Sequence, residues 1–434
     1  MVDVSKFVKE HIPLCVCTLG IAILGYLGYH AVCWIINKCS KIEKTDALSR
    51  NIIISSPITS SSQVNLSKDY WWIRITKTKE FDEFKKNWKN LANSEAAREQ
   101  EAQKLQSSYK SLRHDEPTNQ STYNAPLGTV YGIPGNFSMW MSGVALVAAY
   151  LAEKKKIEGL YVCESLESLS AQINQINLNP ANQRYAFVVG AFQSGFKNQF
   201  PIGFEPNFPQ HKVTVCVEKK DGQLTIALLD AQPEPGFNKD ILPQNLTDKL
   251  WSGYNQWGKF NCQELVFRAI LNACRDSNCQ ARLLHSQALR QKSYGCEVFA
   301  LQDALAYLRD PDFFSKIECS KEKTIRIDHQ YEIEVITTLP PEYMIGTQSS
   351  EIIKKYREGG GQFDKVLPGK KKTLQNYLDA SLVEVTDENA KKKTQNHYIT
   401  KKSFKYLNFA LLALQYLNQS EIENIINKTL IKEN

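Results

Sequence analysis

The chain is 434 residues long, 42% of them hydrophobic, with a formal net charge of +7; that is room for two or three domains with real cores. So small an excess of positive charge excludes a uniformly basic surface, so no nucleic-acid partner is expected and any basic site has to come from local clustering. The eleven cysteines show neither zinc-type C-x-x-C pairing nor the framework of a small secreted domain, so no metal site is expected and the thiols read as free, in a reducing compartment.

Residues 12–36 are almost wholly apolar, with His30 the only side chain there that can carry a charge. As a helix they would span roughly 37 Å, enough to cross a bilayer with some tilt. Lys38, Lys41 and Lys44 follow the run, against Lys6 and Lys9 before it, a bias that puts the C-terminal bulk in the cytosol. The expected division is a transmembrane anchor over 1–40, a Ser/Thr-rich spacer and charged helical stalk over 41–125, a catalytic domain over 126–320, and a basic helical regulatory region over 321–434.

Within the catalytic part, 137–153 and Ser165–Ile176 read as amphipathic helices and Tyr185–Val189 as a strand. His211 opens an alternating strand that reaches Val217; Asp221-Gly222 is a hairpin turn signal, and the return run Leu224–Leu229 ends at Asp230. Two strands joined by so tight a turn bring His211 and Asp230 to the same end of the hairpin. Residues 244–273 read as helical around Trp251 and Trp257. They contain Asn261-Cys262, a rival nucleophile at a helix start. Residues 281–284 read as a strand leading to Gln291-Lys292-Ser293-Tyr294-Gly295-Cys296 and then the apolar run Val298, Phe299, Leu301 and Leu305. Cys296 therefore falls at a helix N-terminus, where free N–H groups and the helix dipole favour a thiolate. A thiolate needs a base and a group that orients the base; His211 and Asp230 supply both.

The last third holds a β-like run at Tyr331–Ile336, then Leu339-Pro340-Pro341-Glu342-Tyr343-Met344-Ile345-Gly346-Thr347-Gln348-Ser349. Lysine runs follow at 370–372 and 391–393, and Asn396 to Leu407 leads into an apolar-faced helix.

Taken together, His211 with Asp230, the Gln291–Cys296 stretch and the tail resemble the YopJ-type acetyltransferase effectors, which are built on the CE-clan cysteine-protease fold. Leu339 to Ser349 is similar to that family's LPPxFMKxTQS motif, and Asn396 to Leu407 to its NxSIExKRxKYL motif. Departures are Asp230 for the usual Glu, Glu297 for the Gly after the cysteine, and Ile345, Gly346 and Ser403 within the tail motifs. The resemblance implies an α+β fold: a CE-clan-like core in which a small mixed or antiparallel sheet packs on the Cys296 helix, with flanking helices near 137–153 and 403–428. The expected transmembrane anchor lies outside the resemblance and precedes this catalytic core and its helical regulatory region.

The resemblance also implies roles. Cys296 would carry acetyl from acetyl-CoA as a thioester, His211 Nε2 would act as base, Asp230 would orient it, and Gln291 or a backbone N–H would hold the oxyanion. Thr347, Gln348, Ser349, His397 and Lys402 would bind an activator, inositol hexakisphosphate. The partner would be a host protein modified on Ser, Thr or Lys, reached by a secreted bacterial effector tethered to a host membrane with its catalytic bulk in the cytosol. Two other readings stay open on the residues alone. One is a CE-clan cysteine protease removing ubiquitin or a ubiquitin-like modifier; the other is a tethered binding protein with an inert site.

Overall fold

The computed structural model describes residues 70–93, 97, 100, 129–130, 137–139, 141–191, 211–233, 262–292, 295–318, 321–327, 330–386 and 392–432. All lie in one compact unit, Asp69–Asn434. Helices α1 (Trp71–Thr76) and α2 (Lys79–Asn93) open it. They fall within the region expected as spacer and charged helical stalk. Ile75, Phe81 and Phe84 are buried, and Trp71 meets Phe409 edge to face at 5.7 Å between ring centroids. The charges that suggested a stalk lie on the outer side, while Phe81 and Phe84, three apart, share the inner one. The small pair β1 (Thr129–Val130) and β2 (Phe137–Ser138) follows.

Next come α3 (Met141–Lys155), β3 (Leu160–Cys163), α4 (Leu166–Leu178) and β4 (Gln183–Ala191). Helix α4 starts at a capping box in which Ser165 and Ser168 exchange backbone-to-hydroxyl hydrogen bonds of 3.0 and 3.1 Å. The hairpin forms as its sequence predicts: β5 (His211–Lys220) pairs antiparallel with β6 (Gln223–Leu229). Both turn residues, Asp221 and Gly222, have positive φ, the conformation a two-residue I′ turn demands.

Helix α5 (Cys262–Asp276), β7 (Ala281–Ser286), α6 (Cys296–Arg309) and α7 (Phe313–Glu318) complete the centre. Then come β8 (Lys321–Arg326), β9 (Glu332–Ile336), α8 (Pro341–Met344), α9 (Ser350–Glu358) and α10 (Leu374–Asp379). The hairpin β10 (Leu382–Thr386) and β11 (Lys392–Asn396), helices α11 (Tyr398–Tyr416) and α12 (Gln419–Ile426), and β12 (Leu430–Ile431) end the chain.

One sheet organises these elements, in the order β12-β3-β4-β5-β6-β7-β9-β8. Its centre, β4-β5-β6, is antiparallel, and parallel strands flank it. The sheet is thus larger than the small one expected, and it is covered on both faces. Strand alternation divides the two cores. Val213, Val215 and Val217 pack with α4 and α5. Cys216 and Ala227 pack with α3, α6 and α11. Each fully buried Val, Leu, Ile or Phe contributes about 1.5–3 kcal/mol, so this double cover is what holds the hairpin rigid.

Residues on both sides of 320 supply strands to this sheet. A domain boundary there would cut between β7 and β9, which pair over Leu283–Ser286. Among the described residues no helix is long and apolar enough to cross a membrane; the expected anchor over 12–36 lies outside them.

Candidate active site

Strand register fixes the first two site residues. Thr214 pairs with Leu229, so His211 and Asp230 both sit at the open end of the hairpin. His211 shares the parity of Val213, and Asp230 that of Leu228, both of which face the α4–α5 core. Their side chains meet there: His211 Nε2 is 2.7 Å from Asp230 Oδ1, with the histidine 5% and the aspartate 0% exposed. The carboxylate is held from two further directions. Gln263 Nε2, from the first turn of α5, donates to Oδ2 at 2.9 Å, and the Gln232 backbone N–H donates to Oδ1 at 2.8 Å.

Burial opposes a charge on the imidazole, but the Asp230 charge and hydrogen bond, with a further bond from Cys296, outweigh it and raise His211 to about 10. Burial likewise opposes charge on Asp230, and the imidazole, Gln263 and the Gln232 N–H prevail, holding it below its ordinary value.

Cys296 is the first residue of α6. It is half-buried and lies close enough to His211 to help raise it. Nε2, expected to be the base, is the ring nitrogen that meets Asp230 Oδ1, which leaves Nδ1 as the nitrogen available to a thiol. The helix starts where it does because Gly295 has φ +97°, a conformation that L side chains rarely adopt. A Cβ at Gly295 would also fall 2.4 Å from Ile399 Cγ2 of α11.

Gln291 is 3% exposed, and its backbone N–H, like that of Arg290, donates to Ala231 O at 2.7 Å. The loop before the cysteine is thereby stitched to the residue after Asp230. Cys262 opens α5 as expected but is packed in the core on the α4–α5 face of the sheet, whereas α6 lies on the other face.

Sequence reasoning missed Gln263, the second holder of Asp230; the signal was its place beside the rival Cys262 at a helix start. It also missed Arg290. This guanidinium is fully buried, pairs with Asp303 of α6 at 2.7 and 2.6 Å, and donates to Tyr343 O at 3.1 Å. It pins the cysteine loop to α6 and to α8 together.

Residues 160–408, more than half of the chain, match the model of the YopJ Serine/Threonine acetyltransferase family. The chain belongs to the YopJ acetyltransferase family. The match spans His211, Asp230 and Cys296 and runs into α11. Among solved structures the chain is similar to AvrA delL154 with IP6 and CoA, at 14% identity and a TM-score of 0.43 over 73% of this chain and 98% of that one. It is also similar to HopZ1a in complex with IP6, at 12% identity and a TM-score of 0.39 over 73% of this chain and 99% of that one. No curated protein matches the chain in sequence.

The YopJ-type tail motifs interlock around the cysteine loop. Gln348 Oε1 accepts from the Lys292 N–H at 2.7 Å. Thr347 is fully buried, and Ser349 caps α9 by accepting from the Ile352 N–H. Asn396 Nδ2 donates to Ile345 O at 2.8 Å. His397 sits 5% exposed at the N-cap of α11, its N–H on Ser381 O at 2.9 Å. Four of the five positions assigned to an activator are thus built into the frame. Ile345 and Gly346, departures from the tail motif, are buried in the core, and a Cβ on Gly346 would meet Ile399 Cδ1 at 2.6 Å.

Lys402 is different. Burial and the charges of Lys405, Lys370, Lys155 and Lys401 bring it down to about 7. Lys370 falls to about 8 through burial and the charges of Arg309 and Lys155, a fall that Glu342 opposes. Lys405 falls to about 8 through burial and Lys154, Lys85, Lys155 and Lys401. Tyr398 and Tyr377 lie under the ammonium groups of Lys402 and Lys370, at 5.4 and 5.0 Å. Cations from α3, α6, the 370 loop and α11 therefore converge on one another, a convergence no linear motif displays.

Proposed function

We propose that this YopJ-family chain moves an acetyl group from acetyl-CoA to a Ser, Thr or Lys of a host protein through a thioester on Cys296. The observation that carries the reading is the buried His211–Asp230 pair at 2.7 Å, with Cys296 at the start of α6 acting on the same imidazole. In this reading His211 already holds a proton, as its raised value requires, and the Cys296 thiolate attacks the acetyl carbonyl carbon through Sγ. The new S–C bond forms, the CoA S–C bond breaks, and the imidazolium returns its proton to the CoA thiolate. In the second half the target hydroxyl or amine gives its proton to His211, attacks the thioester and leaves Cys296 as it began. Asp230, fixed by Gln263 and Gln232, keeps the ring oriented and stabilises the imidazolium. Backbone N–H groups at the start of α6, with Gln291 beside them, are the donors for the oxyanion.

The cation cluster supports a polyanionic activator such as inositol hexakisphosphate. Lysines that depress one another's proton affinity gain from a ligand that replaces repulsion with charge-assisted hydrogen bonds. Lys402 carries over from the expected set; Lys370, Lys405, Lys155 and Arg309 join it. The apolar run over 12–36 is read as a host-membrane anchor that tethers the catalytic part.

The test is incubation with labelled acetyl-CoA and inositol hexakisphosphate, scoring label on the chain and on added host-cell protein. Transfer that needs Cys296 supports the reading. Reaction with a ubiquitin-like suicide probe and no acetyl transfer would contradict it.

A further inference from the structure

Glu297, directly after the nucleophile, is 1% exposed, and its Oε2 lies 3.4 Å from Cys296 Sγ. Lys212, directly after His211, is 4% exposed. Helix α6 runs alongside β5 in the same direction: Thr214 Oγ1 donates to Ala300 O at 2.7 Å and Tyr307 Oη to Val217 O at 2.9 Å. Lys212 lies two residues before Thr214 on the same strand face, and Glu297 one helical turn before Ala300. The two charges therefore face each other between β5 and α6, and Lys212 acts on the Glu297 carboxyl electrostatically.

The groups that act most on Glu297 are Lys212 and His211 from β5 and Cys296 on its own helix; β3, β4, α8 and α11 also pack on α6. Sγ and Oε2 are therefore two acidic groups in contact, beside the basic side chains of Lys212 and His211.

We propose that Glu297 is a second proton partner of Cys296: one proton and one negative charge are shared between Sγ and Oε2, and the Lys212 ammonium holds that charge in the dry space between β5 and α6. The site passes between S–H with carboxylate and thiolate with carboxylic acid, so thiolate forms without a net charge change. Burial raises Glu297 above its ordinary value, which makes its carboxylate a better acceptor for the thiol proton. This deepens the acetyl-transfer reading and rests on it for its part in turnover.

The experiment is the rate at which iodoacetamide alkylates Cys296 in the full chain, read on the Cys296 peptide by mass spectrometry between about pH 5 and 10, a range that spans ordinary carboxyl and thiol values. Removing the neighbouring anion with Glu297→Gln moves the inflection to lower pH by about 1 unit or more, and removing the cation with Lys212→Met moves it to higher pH by a similar amount. Lys212→Arg, which keeps the charge, leaves it in place. A merely structural pair gives no such opposed shifts.

Wild-type inflections in folded Glu297→Gln and Lys212→Met overturn the proposal. If Glu297→Gln does not fold, Lys212→Met against Lys212→Arg decides alone. Opposed shifts in a chain that transfers no acetyl would sink the acetyl-transfer reading and leave the shared proton standing. Unshifted profiles in an active enzyme would do the reverse.

Discussion

At the scale of single residues, the short Asp230 works because its neighbours bring it to the ring. Both carboxylate oxygens are engaged, by His211, Gln232 and Gln263. Replacing Gln263 with Ala leaves Oδ2 buried without that donor. The expected losses are about 1–3 kcal/mol of stability and roughly tenfold in kcat, read by urea melts and steady-state kinetics. Asp230→Asn removes the charge that raises His211, with a kcat loss on the order of 10³. The sign of the pH effect follows from the raised histidine. Between its ordinary 6.5 and about 10, the folded state binds more protons than the unfolded one, so this pair's stabilisation is full below 6.5 and is lost as pH rises through 10. Melts of Asp230→Asn should lack that decline, and an unchanged slope would contradict the pairing. His211, Asp230 and Cys296 were legible in the sequence because each ends or begins an element with a strong local signal. Gln263 and Arg290 were not, since their partners lie 33 and 13 residues away across a fold that had to be known first.

Among elements, the junction of α11 with the cysteine loop is the point of strongest coupling. Ile399 sits against Gly295 and Gly346, where any Cβ would approach it to 2.4 and 2.6 Å. Gln302 of α6 donates to Tyr406 Oη at 2.8 Å and accepts from Tyr398 Oη at 3.2 Å. Movement of α11 is therefore felt at the first turn of α6. Gly295→Ala should cost at least about 1–2 kcal/mol from the left-handed backbone alone, plus the overlap. Ile399→Ala should cost about 2–5 kcal/mol as a cavity. Because the overlap vanishes in the double variant, the two losses should fall short of additive, and chemical denaturation of all three proteins measures that coupling. Strict additivity would contradict the contact. The sequence showed α6, the hairpin and the tail helix through periodicity. The four-residue β3 and two-residue β12 were hidden, because short apolar runs carry too little period to distinguish. Within the region read as spacer and stalk, the charge of α2 concealed a narrow apolar stripe, Phe81 with Phe84.

For the whole molecule, a sheet assembled from residues 160 to 431 joins the site and the tail in one body, which also carries the cation cluster of α3, α11 and the 370 loop. Lys402 at about 7, with Lys370 and Lys405 at about 8, binds fewer protons folded than unfolded up to the ordinary lysine value of 10.5. This cluster's destabilisation is thus greatest below 7 and eases as pH rises. A polyphosphate reverses that trend. Near pH 8 its binding should take up protons, measurable by calorimetry in buffers of different ionisation enthalpy, and should raise the Tm at low salt, an effect that fades as salt rises. Lys402→Ala should lose most of that rise, and binding without proton uptake would contradict the cluster as the site. The central claim is the covalent one, and the most direct measurement is peptide mass spectrometry of the acid-quenched chain after isotope-labelled acetyl-CoA and inositol hexakisphosphate. The account predicts a labelled acetyl group on Cys296 that hydroxylamine removes, and no transfer to protein by Cys296→Ala; transfer by Cys296→Ala at the wild-type rate would contradict it.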